Sequence, residues 1–124
     1  FSPTGGMKIS APDLARYMMT HMNMGKYKGK RMMSKKSARA MQTPYSDKEG
    51  YGFAIMNSDK LIPGKHMTGH TGSAYGLYSA MFFNPNEKFG IVVISNGCDI
   101  KYSDGFNTVI RKVVNVLYES LVRE

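Results

Sequence analysis

Two strand-like runs, Gly76 to Phe83 and Phe89 to Ser95, flank the turn residues Asn84-Pro85-Asn86-Glu87. Turn chemistry between two β-prone runs predicts an antiparallel hairpin. Within the second run Ile91, Val92, Val93 and Ile94 are apolar at every position. A strand buried on both faces has that pattern, so the sequence predicts a central strand here, ended by Asn96-Gly97. Upstream, Gly69-His70-Thr71-Gly72-Ser73 opens another strand, and Tyr51 to Met56 reads as a weaker one, interrupted by Gly52. A polar connection over Asn57 to Gly64 joins these two.

Helices are expected on either side of this block. Ser10 is a natural N-cap, with Pro12 and Asp13 in the first turn, where a fixed φ and a negative charge both suit a helix. Leu14, Tyr17, Met18, His21 and Met22 recur at three-to-four spacing and end near Gly25. His21 falls on or beside that stripe, and with no second histidine one turn away it reads as a packing residue. Ser34 caps a shorter helix that runs to about Gln42 and stops at Thr43-Pro44. Ser103 or Asp104 is expected to start a long C-terminal helix with Phe106, Val109, Ile110, Val113, Leu117 and Leu121 along one side. The fold class that follows is α+β: an antiparallel sheet of three to four strands with helices packed on it.

The 124 residues suffice for one compact domain with a modest core, and a hydrophobic fraction of 42% is that of a globular chain. No apolar run approaches the roughly 18 residues of a membrane span. A first residue of Phe1 rather than Met reads as an excised or processed piece of something longer. Net charge is +8, and Lys26, Lys28, Lys30, Arg31, Lys35, Lys36 and Arg39 form a basic cluster within the stretch that ends at Lys48. Such a cluster can serve a nucleic acid or an anionic surface. Few aromatics interleave with the charges and no nucleic-acid-binding motif is present, so a solvated turn and helix face is the simpler reading and no nucleic-acid partner is expected. The lone Cys98 excludes an internal disulfide and a multi-cysteine zinc site, and it lacks an evident activating base. Of eleven methionines, six lie between Met18 and Met33, a pattern of adaptable core filling rather than of a soft-metal site.

Chemistry concentrates in the His-Thr-Gly-Ser segment. Gly72 lets a ligand approach the backbone closely. Thr71 and Ser73 add hydroxyls, and His70 can be charged or neutral near pH 7. A backbone N–H at this point can support a developing oxyanion, an effect worth about 3 kcal/mol per donor.

Several segments in series give this tetrapeptide a context. Gly5-Gly6 with Ser10 and Asp13-Leu14-Ala15-Arg16, then Met33-Ser34 to Met41-Gln42-Thr43-Pro44, then Tyr51-Gly52-Phe53-Ala54 precede Gly69-His70-Thr71-Gly72. Phe83-Asn84-Pro85 and Gly90-Ile91-Val92-Val93-Ile94-Ser95-Asn96-Gly97 follow it. In this order they resemble the C-terminal part of the serine β-lactamase and penicillin-binding-protein superfamily, in its class C and esterase-like branch. The resemblance covers nearly the whole chain and implies a single partial domain over residues 1–124. It implies that His70, Thr71 and Gly72 line the site and contact a substrate carboxylate or its equivalent. It implies also that the backbone N–H of Ser73 is an oxyanion donor. Histidine stands at the first place, where many relatives have lysine. The charge there is therefore weaker and pH-dependent, which argues against ordinary penicillin recognition.

Two family motifs are missing. No serine is followed by lysine three residues on: Ser34-Lys35-Lys36-Ser37 does not fit the Ser-x-x-Lys nucleophile motif. Tyr45-Ser46-Asp47 and Tyr102-Ser103-Asp104 carry Asp where Tyr-x-Asn is required. Both motifs are expected before Phe1. The resemblance thus implies a parent that hydrolyses amide or ester bonds of a small or peptide-like substrate through a serine acyl-enzyme, with neither cofactor nor metal, and outside the cytoplasm. The chain alone is expected to be inactive. The alternative is a non-catalytic binding or assembly module of the same fold. Without N-terminal strands beside it, the Ile91–Ile94 strand is expected to present an open edge and open faces. A homo-oligomer or strand exchange through Ile91, Val92, Val93 and Ile94 would fill them.

Overall fold

A computed structural model describes residues 5–46 and 50–123. Most of the expected loop over Ser2 to Gly6, together with Asp47 and Lys48, lies outside the described residues. The core is a four-stranded antiparallel sheet in the order β3 (Met56–Ser58), β4 (Met67–Ala74), β5 (Leu77–Asn84), β6 (Phe89–Ser95). Side chains alternate across β5, and each face meets its own hydrophobic cluster. Ala80 and Phe82 join one cluster, Met81 and Phe83 the other, and all four are buried. Burying each phenylalanine is worth about 2–3 kcal/mol.

Helices cover both faces. Helix α1 (Ala11–Met22) is capped by Ser10, whose hydroxyl accepts from the Asp13 N–H at 3.3 Å, and Asp13 pairs with Arg16. Its Met18 and Met22 pack on Ile55, Met81 and Phe83. Gly90 leaves room for them, since a Cβ there would lie 2.3 Å from Met18 Cε. A hairpin follows, of β1 (Lys26–Tyr27) and β2 (Lys30–Arg31), and then α2 (Lys35–Gln42), capped by Ser34. The seven basic residues Lys26, Lys28, Lys30, Arg31, Lys35, Lys36 and Arg39 are all exposed on this hairpin and helix. On the other face lies α3 (Thr108–Leu117), continued by a π-helical turn over Tyr118–Val122. Its Ile110 and Val114, with Tyr118, close the cluster around Leu61, Met67, Phe82 and Phe106.

Four expectations are corrected. The Ile91–Ile94 strand is at the end of the sheet order, and β4 and β5 are the inner strands. Its apolar run reflects helices on both faces: Ile91 and Val93 pack toward α3, while Val92 packs toward α1. The faces are therefore covered, yet no described strand pairs with its outer edge. Second, Tyr51 to Met56 is a sharp reversal rather than a strand. The Gly52 N–H donates to Ile55 O at 2.7 Å and Ala54 takes a φ of 58°, leaving a single bridge between Tyr51 and Met56. Gly52 allows it by packing against the end of α2, where a Cβ would meet Met41 O at 2.3 Å.

Third, the connection after Ser58 is not wholly polar, because Leu61 and Ile62 are buried. Arg111 and Asn115 of α3 hydrogen-bond the carbonyls of Lys60 and Leu61, at 2.8 and 2.9 Å. Fourth, Asp104-Gly105, with φ of 54° and 84°, forms the turn of a small hairpin of β7 (Tyr102–Ser103) and β8 (Phe106–Asn107). The last helix therefore starts only at Thr108. Asn107 caps it, its side-chain oxygen accepting from Val109 N and Ile110 N at 3.0 and 3.2 Å. The buried stripe runs through Ile110, Val114 and Tyr118, whereas Val109, Val113 and Leu121 are exposed.

His21 is fully buried, its ring edge-on to Tyr17 at 4.6 Å, and neither ring nitrogen has a hydrogen-bond partner among the described residues. Burial lowers its pKa below the ordinary 6.5. The unfolded chain therefore binds more protons in mild acid, so the stability that the neutral ring confers is complete above about pH 6.5 and is lost as pH falls through the folded-state value. Denaturation midpoints should drop between pH 7 and 5, and His21→Leu, which keeps the packing without the titration, should flatten that slope. An equal slope in both proteins would contradict this assignment.

Candidate functional site

The pairing of β4 with β5 organises the His-Thr-Gly-Ser segment. Tyr75 and Gly76 have φ of 53° and 82°, so the two strands join through a two-residue type I′ turn closed by Ala74 and Leu77. Hydrogen-bonded and non-hydrogen-bonded pairs then alternate away from the turn. Gly72 with Ser79 and His70 with Met81 exchange ladder hydrogen bonds, whereas Ser73 with Tyr78 and Thr71 with Ala80 do not. The N–H groups of Thr71 and Ser73 therefore point away from β5, toward the side occupied by β3. That strand pairs only as far as Gly69, opposite Met56. Beyond it no described strand takes up these two donors.

A cleft of about 230 Å³ lies at this place. Leu14 and Tyr17 of α1 form one wall, Ala54 and Ile55 of the reversal another, and His70, Thr71, Ser79 and Met81 the sheet side. Its interior is apolar, with a hydroxyl at Ser79; Thr71, paired with Ala80 of the α3 face, borders it through its backbone. Gly72 sits across from Ser79, and a Cβ on it would come 2.4 Å from Ser79 Oγ. Ser73 alternates to the other face, where its side chain is exposed. The strand thus brings the His70 side chain to the cleft and the backbone of Thr71 to its edge, while Thr71 and Ser73 turn their side chains to the other face.

Tyr51 is the site residue that the sequence did not reveal. Its hydroxyl lies 2.6 Å from His70 Nε2, the rings are T-shaped at 5.8 Å, and His70 Nδ1 contacts the Thr71 carbonyl. The reversal at Gly52 to Ile55 creates this contact, and a strand reading of Tyr51 to Met56 hides it. Ser79 and Met81 were also unmarked, although recognising Tyr75-Gly76 as a hairpin turn would have paired them with Gly72 and His70. Larger depressions, of about 310 and 510 Å³, flank α3. They are lined by mixed charges such as Lys65, Arg111 and Glu119, and no histidine lines them. Among the described residues no group of three or more His, Cys, Asp or Glu side chains is arranged to hold a metal.

The two glycines of β4 differ in what they face. A Cβ on Gly69 would lie 1.8 Å from Met81 O, a backbone atom, whereas one on Gly72 meets a hydroxyl that can rotate. Gly69→Ala should cost about 3 kcal/mol in urea denaturation and Gly72→Ala about 1 kcal/mol or less. Equal costs would contradict the pairing.

Comparison with known proteins identifies the family and the fold. The Beta-lactamase family profile matches residues 1–113. None of the curated proteins matches the sequence significantly. Among solved structures, the octameric penicillin-binding protein homologue from Pyrococcus abyssi superposes with a TM-score of 0.61 at 23% identity. The match covers 89% of this chain but 24% of that one, so the chain spans about a quarter of that protein's length. With the profile covering most of its residues, the chain belongs to the Beta-lactamase family.

Proposed function

We propose that this chain is the C-terminal part of a serine hydrolase domain and contributes one wall of its active site. The orientation of the Thr71 and Ser73 N–H groups, away from β5 and beside the cleft, carries this reading. His70, Thr71 and Gly72 line the substrate, an amide or ester. A serine hydroxyl outside these residues, giving its proton to a base that also lies outside them, adds to the substrate carbonyl, and the carbonyl electrons move onto oxygen. The N–H of Ser73 then donates to that oxyanion, and collapse expels the leaving group, to which the base returns that proton. Water releases the acyl-enzyme by the same steps in reverse order. The absence of Ser-x-x-Lys from the sequence favours inactivity of the chain by itself.

The expected outcome is that the isolated 124-residue chain hydrolyses neither a chromogenic cephalosporin nor p-nitrophenyl acetate above background, and forms no acyl adduct in a mass spectrum. A longer form that supplies Ser-x-x-Lys should turn over one of them, and Gly72→Val should lower its kcat/KM by about 100-fold through loss of oxyanion and substrate access. Stoichiometric acylation of a serine in the isolated chain would overturn the reading.

A second reading, an assembly module without catalysis, is favoured by the open edge of β6. The valines at 109, 113 and 116 are exposed on α3, which packs against β6. An edge strand with apolar neighbours is a template for pairing, and the partner we propose is a second copy joined through Ile91 to Ile94. The octameric state of the penicillin-binding protein homologue supports assembly in general terms. Light scattering of the chain at high concentration should give a dimer or larger species, and amide protons on the outer edge of β6 should gain protection with concentration. A monomer at all concentrations would contradict this.

A further inference from the structure

We infer that Tyr51 is a positioning residue for His70 and sets what the first place of the His-Thr-Gly strand can recognise. The inference rests on the hydrolase reading for its functional consequence but not for its geometry. Tyr51 is itself held: its carbonyl accepts from the Tyr45 N–H at 2.8 Å, and it bridges Met56, which pairs in turn with Gly69 of β4. The phenol therefore reaches His70 from a fixed backbone.

The direction of each hydrogen bond follows from its acceptor. The Thr71 carbonyl can only accept, so His70 Nδ1 carries the proton that lies between them. In the neutral ring Nε2 is then a lone pair, and Tyr51 Oη, 2.6 Å away, must donate to it. Both ring nitrogens are engaged, and the one phenolic proton is turned inward. What the His70–Tyr51 pair presents to a ligand is the remaining lone pairs of Tyr51 Oη, without a side-chain N–H or O–H donor of its own. A carboxylate placed there meets another acceptor, whereas an amide can donate its N–H to it. The pair as built disfavours a carboxylate at this place and favours an amide N–H, and Tyr51 is the residue that makes it so.

The test needs no turnover, so it can fail while the hydrolase reading stands, and the reverse. Long-range proton–nitrogen NMR of the chain at pH 8, where an ordinary imidazole is neutral, should show His70 protonated at Nδ1 and bare at Nε2. Tyr51→Phe should gain the Nε2–H form. N-acetylalanine, a small carboxylate probe, should then shift the amide signals of Thr71 to Ser73 about five- to tenfold more in Tyr51→Phe than in the wild type at equal concentration, the worth of one hydrogen bond. An Nε2–H ring in the wild type, which needs no variant to observe, would overturn the inference. So would an identical ring signature or identical response to the probe in the two proteins.

Discussion

The type I′ turn at Tyr75-Gly76 fixes the pairing of β4 with β5, and the cleft depends on that pairing. It decides which backbone donors are spent inside the sheet and which face outward. It also decides which side chains share a face. In this register Met81 lies in the α1 cluster and Phe82 in the α3 cluster, so both helices hold it in place. A slip by one residue would exchange every side chain between the two faces, turning Met81 and Phe83 out of the α1 cluster. The stability of the core and the aim of the Thr71 and Ser73 N–H groups are therefore the same constraint. Glycines accommodate it where backbone or side chains come close, at Gly69 against Met81 O and at Gly72 against Ser79 Oγ.

Much of this was legible in the sequence, for local physical reasons. The caps at Ser10 and Ser34 and the turn over Asn84 to Glu87 are short-range signals, and the structure places α1, α2 and the β5–β6 hairpin where they fall. What failed depended on neighbours remote in sequence or on competing turn chemistry. Asp104-Gly105 looked like a helix start because Asp suits that position, but the same dipeptide is a hairpin turn, and Asn107 took the cap. The apolar run of β6 implied two buried faces, and it has helices on both, but that pattern says nothing of whether a strand is central or at an edge. The stripe on α3 was rotated because Val109 and Val113 have the same spacing as Ile110 and Val114, and only the sheet decides which pair it buries.

The site was half legible in the same sense. His70, Thr71, Gly72 and Ser73 are contiguous and advertise themselves. Their partners come from three other places: α1 supplies Tyr17, the reversal brings Tyr51 and Ile55, and β5 brings Ser79. None of these carries a local signature, since each acquires its role only through pairing. Tyr51 shows this most clearly, as a residue whose hydroxyl reaches His70 only because Gly52 and Ala54 fold the chain back.

Amide hydrogen exchange along β4 reads out which backbone donors the sheet has spent. The register predicts an alternation: His70 and Gly72 N–H, bonded to β5, should exchange slowly, and Thr71 and Ser73 N–H, pointing away from it, should exchange fast. A Ser73 amide protected as strongly as that of Gly72 would contradict it, because the donor on which the proposed chemistry relies would then be buried in the sheet.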